Sequence, residues 1–260
     1  MSKKRAFVRY SKQGKIVPGS LILTAGSYPN GPSTWKEVSA DLCCLIPQDY
    51  TSCLALQGIP LDNEGTFVYG FSLDTNNIPG KYLSGTIYWG PGQEEHFNLP
   101  ANGYTYDFVH EFDNLAPQTV YLCVDNPAVI QDFELGFGPG DTVSLNNARV
   151  LSGVQEWDSD NMNIYSLDLS NMKGLSQLYH CCSILTHINI TGSVGLIDVD
   201  MGYNALTEAS VDHILITLDG NGLTNGYLYL AGGTSSIPSA AGLAAKTSLE
   251  GKGWSVSVNS

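Results

Sequence analysis

Of the 260 residues only 12 are lysine or arginine, against 25 aspartates and glutamates, and no apolar run reaches the roughly 18 residues that a membrane-crossing helix requires. A helical membrane protein is thereby excluded, and the scarcity of helix-forming charged residues beside 28 glycines and 14 tyrosines predicts a mainly β, turn-rich architecture. Ser2-Lys3-Lys4-Arg5 is followed by only Ala6-Phe7-Val8 before Arg9, too short for the apolar core of a signal peptide, so the chain is expected to fold in a cytoplasm. The six cysteines agree with that expectation: Cys43-Cys44 and Cys181-Cys182 are adjacent pairs that bridge poorly, Cys53 and Cys123 stand alone, and all are expected reduced. The chain also lacks a Gly-x-Ser-x-Gly elbow, a phosphate-binding Gly-Lys-Ser/Thr loop and a His-Glu-x-x-His helix. Gly136-Phe137-Gly138-Pro139-Gly140 reads as a turn, because Pro139 and the missing helix exclude a dinucleotide fingerprint.

What is present is a repeat. Ile164-x-x-Leu167-x-Leu169, Leu175-x-x-Leu178-x-His180, Leu185-x-x-Ile188-x-Ile190 and Leu196-x-x-Val199-x-Met201 share one apolar phrase, and alternate phrases begin 21 residues apart. That spacing predicts a leucine-rich-repeat-like solenoid, whose stacked coils present rows of outward side chains to a partner. An ordinary sheet with regular hairpins is the alternative, disfavoured by offsets of 0, +3 and +5 where strand alternation would fill 0, +2 and +4. In the solenoid, Ser166 and Asp168 lie beside His187 and Asn189 on one face, while Gln177 and Tyr179 lie beside Asp198 and Asp200 on another. Asp168, Tyr179, His187, Asn189, Asp198, Asp200 and Tyr203 are therefore the candidate ligand face, with plain solvated strands as the competing interpretation.

Three parts follow one another. Residues 1–46 hold the strand-like Ala6–Tyr10, the extended Lys15–Leu23, bent at Pro18-Gly19, and Trp35-Lys36-Glu37-Val38; a piece this small gains stability by pairing with something larger. Residues 47–145 read as an antiparallel β-sandwich, with strands at Phe67–Leu73, Gly85–Trp89, Tyr104–Val109, Thr119–Val124 and Ile130–Phe137 and a turn at Asn102-Gly103. Residues 146–260 hold the repeats, then a helix capped by Thr207 that places Val211, Ile214, Leu215 and Leu218 on one face and ends at Asn221-Gly222. A strand at Tyr227–Leu230, a second helix from Ser239 to Leu249 and a closing strand at Trp254–Val258 seal the open end of the solenoid.

Charge is polarised. Residues 1–36 carry seven cations and no acid, and the remainder five cations and all 25 acids. A cationic arm that also holds Phe7, Val8, Tyr10 and Ile16 is too apolar for a solvated tail and suits docking on an acidic surface by adding a strand to a neighbouring sheet. Lys3, Lys4, Arg5, Phe7, Arg9, Tyr10, Lys15 and Trp35 are the candidate anchor residues. Nucleic acid is the alternative acidic target, but no helix-turn-helix, zinc finger or repeated aromatic stacking pattern accompanies the charges.

Two resemblances add to this. Thr86-Ile87-Tyr88-Trp89-Gly90-Pro91-Gly92 followed by Tyr104-x-Tyr106-x-Phe108 is similar to the Trp-Gly-Asp-Gly and later tyrosine strand of PKD-like sandwich domains, with Pro91 where the family usually has aspartate. Lys3–Tyr10 with Gly14–Leu23 and Trp35 resembles the opening of virion structural proteins of tailed, crAss-like Bacteroidetes bacteriophages. The resemblance implies an oligomeric, non-enzymatic head or tail fibre or decoration protein, located on the virion, anchored to major capsid or other virion proteins, and contacting host surface glycan or protein distally. A bacterial surface adhesin or glycan-binding module is the runner-up, and a tail polysaccharide depolymerase the third.

Chemistry is thinly represented. Glu94-Glu95, Asp158/Asp160 and Asp198/Asp200 supply carboxylates, yet residues two apart on a strand sit about 7 Å apart with no defined acid environment. Asp158–Asn163 and Asp198–Asn204 place oxygens at calcium-like offsets, but Leu169 and Ala209 stand where a calcium loop has glutamate. His180-Cys181-Cys182 with His187 lacks the ligand spacing of zinc sites. No cofactor, metal, catalytic residue, nucleic-acid partner or membrane insertion is expected.

Overall fold

The computed structural model describes residues 5–9, 22–24, 35–38, 52–58, 61–63, 66–90, 93–112, 118–135, 142–160 and 162–260. The chain is mainly β. Near the N-terminus β1 (Arg5–Arg9) pairs antiparallel with both β2 (Ile22–Thr24) and β3 (Trp35–Val38).

Nine strands follow: β4 (Leu54–Gly58), β5 (Leu61–Asn63), β6 (Thr66–Thr75), β7 (Asn77–Gly90), β8 (Gln93–Asn102), β9 (Thr105–Phe112), β10 (Gln118–Val124), β11 (Ile130–Glu134) and β12 (Thr142–Asn146). The two-residue period is plain in β7, where Leu83, Gly85, Ile87 and Trp89 are buried and the residues between them half-buried. One sheet runs β12-β4-β10-β7-β8, and a second brings β11, β5 and β9 around β6. Aromatic rings link the two: Phe71 of β6 lies 5.9 Å from Trp89 of β7, and Phe97 of β8 lies 5.0 Å from Phe108 of β9. Gly103, at φ +78°, makes the β8–β9 turn, a conformation that costs glycine nothing.

Sequence patterning located β6, β7, β9, β10 and β11. It missed β8, whose Glu94, Glu95 and His96 are all exposed, because an edge strand with one wet face carries little hydrophobic signal. The Gly136–Gly140 turn lies outside the described residues.

The remaining elements are β13 (Glu156–Asp158), β14 (Asn163–Ile164), β15 (Ser166–Asp168), β16 (Gln177–Tyr179), β17 (His187–Asn189), β18 (Asp198–Asp200), α1 (Glu208–Asn221), β19 (Tyr227–Tyr229), α2 (Ala240–Gly251) and β20 (Ser255–Ser257). Strands β13, β16, β18, β19 and β20 form one parallel ladder; β15 and β17 form another. Between them the phrase residues Leu167, Leu178, Ile188 and Val199 point inward and are buried. Consecutive coils are also tied by buried polar side chains: Asn204 Nδ2 donates to the His180 carbonyl at 2.6 Å, and Ser193 Oγ donates to the Leu169 carbonyl at 2.6 Å.

The nine-stranded sheet is continuous across residue 146. β11 pairs antiparallel with β6 on one side and parallel with β13 on the other, so the parallel ladder extends the antiparallel sheet. Trp89, Phe71, Phe133 and Trp157 make an unbroken aromatic series through this junction, the last pair 4.5 Å apart.

Both helices form where capping chemistry places them. Thr207 accepts the Ser210 backbone N–H at the start of α1, Gly222 at φ +74° ends it, and Ser239 caps α2. Val211, Ile214, Leu215 and Leu218 of α1 are buried, and Lys252 pairs with Asp219 at 2.6 Å to join the end of α2 to α1.

One expectation is overturned: Cys53 and Cys123 form a disulfide, with Cα atoms 4.3 Å apart. Strands β4 and β10 are antiparallel with Leu54 opposite Leu122, so Cys53 continues that register to face Cys123. The two cysteines, separated by 70 residues, look solitary only along the sequence. Cys181 and Cys182 carry free thiols, and Cys43 and Cys44 lie outside the described residues.

Candidate functional site

Each strand of the long parallel ladder is three residues with the middle one inward: Trp157, Leu178, Val199 and Leu228 are fully buried. The residues on either side face outward in two rows. One row is Asp132, Glu156, Gln177, Asp198, Tyr227 and Ser255; the other is Glu134, Asp158, Tyr179, Asp200, Tyr229 and Ser257. Parallel pairing sets neighbours within a row about 4.8 Å apart. The surface thus begins with carboxylates, passes through mixed polar groups to a pair of tyrosines on β19, and ends in the serines of β20.

At the carboxylate end, Asp74, Asp132, Glu134, Glu156 and Asp158 line a concavity of about 100 Å³. Burial, with Glu156 and Asp74 alongside, raises the Asp132 carboxyl to about 6. Burial and neighbouring acids likewise raise Glu134 and Glu156, and burial raises Asp158 against the backbone N–H of Asp160 that it accepts. Asp132, Glu134, Glu156 and Asp158 therefore keep their protons to higher pH than isolated carboxyls do. Among the described residues, no group of three or more histidine, cysteine or acidic side chains is arranged to hold a metal ion.

Further along, Gln177 Nε2 donates to Tyr179 Oη at 2.9 Å, and Tyr179 Oη donates to Asp198 Oδ2 at 3.1 Å. Tyr203, exposed on the coil corner after β18, has its ring 6.5 Å from Tyr229. Tyr227 is also exposed.

The two expected rows are found in register. Ser166 faces His187 and Asp168 faces Asn189 on β15–β17, while Gln177 faces Asp198 and Tyr179 faces Asp200 on β16–β18. The seven candidate face residues accordingly divide: Tyr179, Asp198, Asp200 and Tyr203 share one surface, and Asp168, His187 and Asn189 belong to the other ladder. Several have a structural task as well. Asp158, Asp168, Asn189 and Asp200 each accept, through Oδ1, the backbone N–H two residues on, at 3.0 to 3.1 Å, which turns the chain at the strand end. Ser159, an oxygen donor in the calcium-like stretch, points into the core and bonds Trp157 and His180; Asn161 lies outside the described residues.

Of the anchor candidates, Arg5, Phe7 and Arg9 lie on β1 and Trp35 on β3, with Arg9 opposite Trp35; Lys3, Lys4, Tyr10 and Lys15 lie outside the described residues. In the Glu94-Glu95 pair, Glu95 accepts the Trp89 indole N–H at 2.9 Å and Glu94 lies 3.8 Å from His96.

Sequence reasoning missed Asp74, Asp132, Glu134, Glu156, Tyr227 and Tyr229. The signal was there. Ile130-x-x-Phe133-x-Leu135 and Val154-x-x-Trp157-x-Ser159 fit the repeated phrase, and their inward positions are all buried. The chain matches no family model, and no curated protein or solved structure is detectably similar to it.

Proposed function

We propose that this chain is a non-enzymatic structural component of a bacteriophage virion, a head fibre or decoration protein. Its N-terminal segment attaches it to major capsid or other virion proteins, a PKD-like sandwich acts as spacer, and the leucine-rich-repeat-like solenoid carries a face for a host surface glycan or protein. The observation that carries the reading is the outward double row of the parallel ladder, where Tyr179, Tyr203, Tyr227 and Tyr229 adjoin Asp198 and Asp200. Aromatic faces beside carboxylate acceptors suit polyhydroxylated ligands: the rings cover apolar sugar faces and the carboxylates accept hydroxyls. The cationic residues before Lys36 support attachment to an acidic particle surface.

The test has two parts. Full-length protein is applied to immobilised host capsule and outer-surface polysaccharide; retention is expected, and the double substitution Tyr227→Ser/Tyr229→Ser should weaken it at least about tenfold, roughly 1.4 kcal/mol. Removal of residues 1–46 should abolish incorporation into particles without abolishing glycan retention. Normal incorporation of the truncated chain sinks the anchor, and no retention of the intact chain sinks the glycan face.

A second reading, an exported bacterial adhesin or glycan-binding module, is favoured by the Cys53–Cys123 disulfide, since such bonds persist in oxidising compartments. Fractionation of a bacterial host in the absence of phage separates the two: protein on the cell surface supports the adhesin.

A further inference from the structure

We infer that Cys181 and Cys182 are a reversible redox pair, which closes to a disulfide ring at the coil corner by exchange with a low-molecular-weight disulfide. The Cys181 thiol donates to Cys182 Sγ at 3.1 Å, and no covalent bond joins the two sulfurs. The corner is held from both sides: the Cys181 N–H donates to Asp160 Oδ1 of the preceding coil at 2.5 Å, and the Cys182 N–H to the Gly202 carbonyl of the following coil at 3.1 Å. Backbone ordering that a vicinal pair must otherwise undergo is therefore already in place.

The corner itself demands a left-handed residue. Cys182 has φ +59°, and at the equivalent positions of the next two coils Tyr203 has φ +55° and Gly232 φ +86°. The stack, not the sulfur chemistry, sets this conformation; its consequence is that Cys182 projects from the corner, exposed, with Cys181 half-buried behind it.

That asymmetry orders the reaction. Cys182, as thiolate, attacks one sulfur of the small disulfide RSSR; its S–S bond breaks and one thiolate RS⁻ leaves, giving a mixed disulfide on Cys182. Burial pushes the Cys181 thiol up, so it does not initiate. It loses its proton to RS⁻ as it attacks Cys182 Sγ, and the second RS⁻ departs and is protonated by solvent. Two protein thiols are oxidised, and RSSR is reduced to two RSH. Adjacent Cα atoms lie about 3.8 Å apart, short of the usual bridging range, so the ring is strained and reopens readily. Cys53–Cys123, by contrast, links residues 70 apart in sequence.

The experiment equilibrates the full-length protein in oxidised and reduced glutathione at several ratios, alkylates free thiols and weighs the peptide containing Cys181 and Cys182. In oxidising buffer that peptide should be unalkylated and lighter by two hydrogens, and it should recover both alkyl groups at a ratio that leaves Cys53–Cys123 intact. In Cys181→Ser the reaction should stop with glutathione on Cys182. Dialkylation at every ratio, a mixed disulfide persisting in the unsubstituted protein, or a cross-link to Cys43 or Cys44 overturns the inference.

Discussion

His180 occupies a position where the other three phrases have Leu169, Ile190 and Met201, and it is fully buried. Its Nδ1 meets Ser159 Oγ at 2.9 Å, that hydroxyl also accepts the Trp157 indole N–H at 3.1 Å, and Nε2 has no hydrogen-bond partner among the described residues. Burial outweighs the favourable influence of Ser159 and Asp160 and lowers the imidazole to about 4. In the unfolded chain it titrates near 6.5. Below about pH 6.5 the unfolded state takes up a proton that the folded state refuses until about pH 4, so stability falls as pH falls through that window, by up to about 3 kcal/mol. His180→Leu should flatten this part of the denaturation-midpoint profile. Its effect at neutral pH should be small, because the gained apolar contact is set against the acceptor lost to Ser159. An unchanged slope between pH 6.5 and 4 in the variant refutes the assignment.

At the scale of elements, the junction of β6, β11 and β13 gathers Asp74, Asp132, Glu134, Glu156 and Asp158 where strand pairing forces them together. Asp132 has its folded-state carboxyl raised to about 6, so this group's contribution has the opposite sign to that of His180: it favours the folded state below about pH 4 and is lost as pH rises to about 6. Asp132→Asn should therefore raise stability at pH 7 by about 1 kcal/mol, a figure reduced for solvent screening of a half-exposed group, and the gain should vanish near pH 4. Chemical denaturation at both pH values checks it; equal midpoints at pH 7 refute it. The elements that build this junction were unequally legible. The phrase offsets placed β15, β16, β17 and β18 and even their facing residues, because a 21-residue period carries its register with it. The same phrase is harder to see at Ile130 and Val154: Ile130 begins 24 residues before Val154, off the 21-residue period, and the Val154 copy, although in phase with Leu175, ends in the polar Ser159. The carboxylate cluster was hidden for a different reason: Asp74 reaches Asp132 only through antiparallel pairing of β6 with β11, a long-range choice that no local pattern encodes.

For the whole molecule, the continuous nine-stranded sheet and the aromatic series from Trp89 to Trp157 argue against independent halves. Separating the chain at residue 146 would strip β13 of its partner β11 and expose Trp157, the burial of which is worth about 3–5 kcal/mol. The disulfide joins Cys53, before β4, to Cys123 in β10, with the Cys53 carbonyl accepting from Asn147 Nδ2 at 3.0 Å, and closes a loop with a sequence separation of 70. A loop of that length restricts the unfolded chain by about 4 kcal/mol in the entropic picture, and removal of such bonds commonly costs about 2–5 kcal/mol. Cys53→Ser should therefore lower stability by that amount. Because the core is common, the loss should be felt equally in the helices α1 and α2, which lie beyond residue 207. Far-ultraviolet circular dichroism at the helical minimum and tryptophan fluorescence, followed through the same denaturant series, should give coincident transitions in both proteins, displaced together in the variant. A helical signal that holds its midpoint while the fluorescence transition shifts would show instead that the parallel stack stands without the sheets it continues.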